Sequence, residues 1–144
     1  DANTFVNWLD AQPQVDKRKK IGTEGYCMGG PIVMRTVAAR PDRVAAGASF
    51  HGGGLNTANP DSPHLLIPKM KASLLIAIAE NDDKSNPTSK DILRKAFDDA
   101  KVPAEIEVYA AQHGWCAIDS RVYDKEQAEK AWARKIELYK KALA

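Results

Sequence analysis

Gly25-Tyr26-Cys27-Met28-Gly29-Gly30 constrains this 144-residue chain more than any other stretch. An apolar run from Ile21 stops at Gly-x-Cys-x-Gly-Gly and passes directly into helical spacing at Ile32, Val33, Thr36 and Val37. Strand, sharp turn and helix are predicted, the arrangement of a nucleophile elbow. Such a turn strains its central residue and needs neighbours without bulk, which Gly25 and Gly29 are expected to supply. Cys27 then projects from the strand end, with the Met28 N–H and the start of the next helix aimed at whatever it attacks. Positive potential there favours the reactive thiolate. Free cysteine is also among the most buried residue types, so the hexapeptide alone fits a structural cysteine equally well.

Length and composition narrow the field. A chain of this size makes one domain, here residues 1–144, with a real core. Its 44% hydrophobic and 28% charged content are those of an ordinary globular protein. A net charge of +2 gives no field that would attract nucleic acid. The cluster Lys17-Arg18-Lys19-Lys20 reads as a solvated turn before a strand. No apolar run approaches the ~18 residues of a membrane span, so neither nucleic acid nor membrane is expected as a partner. Cys27 and Cys116 are too few for a disulfide framework and lack metal-ligand spacing, which predicts no metal and a reducing compartment such as the cytoplasm. The chain opens at Asp1 with neither an initiator methionine nor a signal-like segment, the expectation for a processed protein or a piece of a longer one.

Periodicity supplies the rest of the architecture. Phe5, Val6, Trp8 and Leu9 predict a short helix closed by Pro13. Ile21 to Tyr26 is the first strand, and Glu24 within it, with both faces expected to be covered, is read as a buried acid with a partner. The helix after the elbow ends at Pro41. Val44 to Phe50 and Ala72 to Ala79 are apolar throughout, the mark of parallel strands packed on both faces. Asn56 to Pro63 reads as a loop, and Asp91 to Lys101 as a helix with Ile92, Leu93, Ala96 and Phe97 on one face. Ala104 to Tyr109 alternates apolar and polar residues, as a strand with one exposed face or at an edge does. Tyr123 to Leu143 predicts a long amphipathic helix. The alternation describes an α/β fold with a parallel sheet of about four strands flanked by helices.

In such sheets functional side chains gather beyond the carboxyl ends of the strands. Cys27, an acid at Asp82 or Asp83, and His113 stand at three of these ends, in the order nucleophile, acid, histidine. The thiol would attack a carbonyl carbon and the imidazole would take its proton. The carboxylate would hold the ring in the useful tautomer. His51, in His51-Gly52-Gly53-Gly54, is expected to line the site mouth, because His113 is the better base.

These residues carry a family resemblance. Gly25-Tyr26-Cys27-Met28-Gly29-Gly30, Phe50-His51-Gly52-Gly53, the acid after Leu74 to Ala79, and His113-Gly114-Trp115 together resemble the dienelactone hydrolase family within the α/β-hydrolase superfamily. The resemblance runs the length of the chain but matches only the C-terminal part of the family's domain, lacking about four strands ahead of the elbow. It implies a triad of Cys27, Asp82 and His113, with the Met28 amide as one oxyanion donor and Tyr26, His51 and Trp115 lining the substrate. It further implies hydrolysis of small esters or lactones through an acyl-thioester, without cofactor. Ala117 stands where dienelactone-specific members carry an arginine, which implies broader ester or lactone specificity. The absent part of the domain would supply a second oxyanion amide, so weak activity is expected of this chain alone. It would also cover the edge of the Ile21 to Tyr26 strand, so an N-terminal segment of the same protein or another chain is the expected partner. Rival readings are a non-catalytic module keeping the architecture, and a redox protein pairing Cys27 with Cys116.

Overall fold

A computed structural model describes residues 1–144. The elements are α1 (Ala2–Asp10), β1 (Ile21–Tyr26), α2 (Gly29–Ala39), β2 (Val44–Phe50), a 3-10 segment (Pro63–Lys69), β3 (Ser73–Ala79), α3 (Glu80–Ser85), α4 (Ser89–Ala100), β4 (Ala104–Tyr109) and α5 (Lys125–Ala142). The four strands form one parallel sheet in the order β1-β2-β3-β4. The fold is α/β with helices on both faces, as the alternation of patterns requires.

The apolar character of β2 and β3 follows from this two-sided cover. Leu74 and Ile76 of β3 face one core, with Val33, Met34 and Val37 of α2 and Leu93 and Phe97 of α4. Leu75, Ala77 and Ala79 of the same strand face a second core, with Phe50, Tyr109, Trp115 and Ala131 of α5. Successive side chains alternate in direction, so a strand buried on both sides is apolar at nearly every position, the exceptions being Ser49 and Ser73. β4 closes one margin of the sheet, where its alternation placed it.

β1 closes the other margin. Its expected two-sided cover is incomplete: α5 reaches it through Tyr139, which lies against Gly22, but its residues are mostly half-buried or exposed, and β2 is the one strand beside it. Glu24 therefore differs from expectation: it has its partner, but the lysine is the buried member. Lys135 of α5 reaches Glu24 at 2.8 Å while its own side chain is 4% exposed, and its ammonium lies 3.6 Å from the Trp132 ring centroid. Two short helical segments, Pro63–Lys69 and α3, arise where the sequence offers no apolar periodicity. No helix is long and apolar enough to cross a membrane.

Candidate active site

β1 ends at Tyr26 and α2 begins at Gly29, so Cys27 and Met28 make the whole turn. Cys27 has φ +52°, in the left-handed region that costs a residue with a Cβ. Its sulfur is presented at the surface, exposed. Gly25 is required: a Cβ there would lie 2.4 Å from the Gly29 carbonyl oxygen. Gly29 itself is not, since a Cβ at that position would meet nothing within 4 Å. The second tight position is Gly30, whose Cβ would fall 2.5 Å from Ser49 Oγ and 2.7 Å from Gly52 Cα. The expectation for Gly29 is thus corrected by one residue. The start of α2, rather than the side of the turn, is what packs against the strand ends.

Asp82 and His113 meet beside this turn. His113 Nδ1 lies 2.7 Å from Asp82 Oδ2, and the His113 main-chain N–H donates to Asn81 Oδ1 at 2.8 Å. The neighbouring Asp83 turns away to Lys90, at 2.7 Å. With Nδ1 engaged by the carboxylate, Nε2 is left for the thiol, and Cys27 and His113 stand close enough for each to shift the other's protonation. His113, aided by the Met28 N–H, holds the Cys27 thiol below the usual cysteine range against the cost of burial. Burial pushes the His113 imidazole down, but the hydrogen bonds to Asp82 and Cys27 outweigh it and raise it. The two shifts favour the same state, thiolate beside imidazolium.

The residues expected to line the substrate separate. Tyr26, 40% exposed, stacks on Phe50 with centroids 5.0 Å apart and stays accessible. His51 is 5% exposed and its ring lies 4.7 Å from that of His113. Trp115 is corrected: it is 0% exposed, stacked on Tyr109 at 5.3 Å and edge-on to His51 at 5.1 Å, so it backs the site instead of lining it. A bulky ring beside a loop histidine reads equally as wall or core in a sequence, and only burial separates the two. Sequence reasoning also missed the partner of His51. The Cys27 main-chain N–H donates to the Phe50 carbonyl at 3.0 Å and to His51 Nδ1 at 3.2 Å.

Cys116 stands in a different environment, lining a small cavity with Tyr26, Phe50, Ala128, Ala131, Trp132 and Lys135. Burial pushes its thiol up to about 11. No three His, Cys, Asp or Glu side chains converge closely enough to hold a metal ion. One consequence is direct. Iodoacetamide at pH 7 should label Cys27 well before Cys116, and the Cys27 rate should rise with pH through a midpoint below that of free cysteine, because only the thiolate reacts. Peptide mass mapping over time reads both; equal labelling of the two thiols would contradict the electrostatics described here.

The arrangement can supply a nucleophile, a base and one oxyanion donor at one rim of the sheet, with Cys27 exposed to solvent. A model of the dienelactone hydrolase family matches residues 1–143. Protein usf of Aquifex pyrophilus is 27% identical over 128 residues, 87% of this chain and 52% of its own length. Among solved structures, a dienelactone hydrolase-like promiscuous phosphotriesterase from metagenomic libraries superposes with a TM-score of 0.80 at 20% identity, over 99% of this chain and 60% of that one. A dienelactone hydrolase of Anabaena variabilis gives 0.70 at 20% identity over the same shares. The chain spans about half the length of the curated relative it matches.

Proposed function

The chain belongs to the dienelactone hydrolase family, and from that premise we propose that it is a hydrolase of small esters or lactones in which Cys27 is the nucleophile, His113 the base and Asp82 the carboxylate that orients it. The observation that carries the proposal is the 2.7 Å pair of Asp82 Oδ2 and His113 Nδ1, formed at the same sheet rim as Cys27 with its strained backbone. In the reaction, the thiolate attacks the carbonyl carbon while His113 holds the proton it has taken. The negative charge that develops on the carbonyl oxygen faces the Met28 N–H. Collapse expels an alkoxide, protonated by His113, and leaves an acyl group on sulfur. His113 then removes a proton from water, which attacks the thioester and releases the acid. With a lactone, the alcohol and the acid leave as one molecule.

The covering of β1 belongs to the same reading. A strand with a free row of main-chain donors and acceptors calls for a partner, and the proposal assigns that place to an N-terminal segment of the same protein or to another chain. Two free thiols suit a reducing compartment such as the cytoplasm.

Brief incubation with p-nitrophenyl acetate followed by acid quench should leave one acetyl group on the peptide containing Cys27, removable by hydroxylamine. Slow deacylation would make it accumulate even where turnover is weak. Absence of that adduct, with acetylation on lysines alone, would refute the nucleophile.

A further inference from the structure

His51 lies outside the triad, yet its surroundings are built with more constraint than a side chain at the mouth of a site needs. It occupies the left-handed region at φ +42°, as Cys27 does at +52°. Its main-chain N–H donates to Ala77 at 2.8 Å, so the ring is mounted on the end of the β2–β3 ladder. The next residue cannot shift: a Cβ on Gly52 would lie 2.4 Å from Ser49 Oγ and 2.9 Å from Gly30 Cα. Around the ring stand His113 at 4.7 Å, Trp115 at 5.1 Å and Tyr26 at 6.0 Å between centroids. Within this mount one ring nitrogen has a defined partner, the main-chain N–H of Cys27, which it shares with the Phe50 carbonyl.

We propose that His51 is a positioning residue of the elbow, whose unprotonated Nδ1 accepts the Cys27 N–H and so holds the sulfur between His113 and the Met28 amide. This deepens the proposed hydrolase site and rests on Cys27 being its nucleophile. The chemistry dictates the ring state. An N–H facing Nδ1 requires a lone pair there, so the proton of the neutral ring sits on Nε2. A proton on Nδ1 would set donor against donor and add a positive charge beside His113. Burial and the neighbouring His113 both push this imidazole down, which keeps the acceptor available. Strain at two residues that share a hydrogen bond persists only where the surroundings over-determine both, and the 3.2 Å contact joins them.

Two measurements test this. In ¹⁵N-histidine-labelled protein at pH 7, His51 should show the neutral Nε2–H tautomer; an Nδ1–H tautomer or a charged ring overturns the proposal without recourse to any variant. The second compares Cys27 alkylation rates. His51→Asn keeps an acceptor near the Nδ1 position and tolerates positive φ, whereas His51→Gly relieves the backbone but removes the acceptor. The first should stay within about threefold of the parent and the second fall about tenfold as the thiol loses its contacts and less of it ionises. His51→Gly reacting as fast as the parent, or His51→Asn as slowly as His51→Gly, overturns the proposal. Alkylation reads positioning and ester cleavage reads catalysis. Expected alkylation rates in a protein that never acetylates Cys27 would therefore refute the hydrolase and leave the positioning intact.

Discussion

Cys27→Ala and His113→Ala should each lower the rate of p-nitrophenyl acetate hydrolysis by about 10³-fold or more, and the double variant should be scarcely worse than either alone. The sulfur provides the covalent route and the imidazole its proton transfers, so removing one strands the other; members of one catalytic unit do not contribute additively. Asp82→Asn should cost about 10²-fold or more. An amide in place of Oδ2, 2.7 Å from Nδ1, can offer a donor where the ring needs an acceptor and so favours the tautomer with Nε2 protonated. Asp83→Asn should leave the rate near that of the parent, because this carboxylate is spent on Lys90. Initial rates of all six proteins at equal concentration, with unfolding curves to show that each is folded, make the comparison. Equal rates in the parent and Cys27→Ala would refute the mechanism.

Gly25→Ala should destabilise the protein by about 3 kcal/mol, a large effect for one added methyl group. The new Cβ would lie 2.4 Å from the Gly29 oxygen and 2.6 Å from its carbonyl carbon, both main-chain atoms with no rotamer in which to move aside. Relief has to come from sliding the end of β1 against the start of α2. That motion also displaces the Met28 N–H, so alkylation of Cys27 should slow in whatever fraction remains folded. Gly29→Ala, four residues along the chain, is the matching control: its Cβ meets nothing within 4 Å, and a stability change within about 0.5 kcal/mol is expected of a surface substitution. Urea unfolding of the three proteins decides, and Gly25→Ala unfolding at the parent's midpoint would show that the elbow yields more readily than its packing implies.

What the sequence made legible was the part governed by burial. β2 and β3 stand out as apolar runs because each faces two cores, and Cys27, His113 and an acid at Asp82 or Asp83 could be located by reading which residues follow the strands. Less legible were features decided by direction within a turn. Asp82 and Asp83 are adjacent and chemically alike. Only the coiling of Glu80–Ser85, a six-residue helix without an apolar face, sends one to His113 and the other to Lys90. Glu24 was misjudged as buried because both faces of its strand were expected to be covered, and Trp115 because an aromatic residue beside a histidine gives no sign of its depth. The Cys27 N–H to His51 hydrogen bond joins residues 24 apart in the chain through a main-chain donor, for which no side-chain pattern exists.

β1 carries one more consequence. A bare margin is a template, and any extended polypeptide can add to it as another ladder rung, including β1 of a neighbouring molecule. Six residues is a short template, and Glu24 near its middle sets a negative charge against an identical approaching strand. The same carboxylate is the partner of the buried Lys135, so a neutral substitution would release this brake on self-association and strand that ammonium at once, with cloudiness in a concentrated solution accompanied by a lower unfolding midpoint.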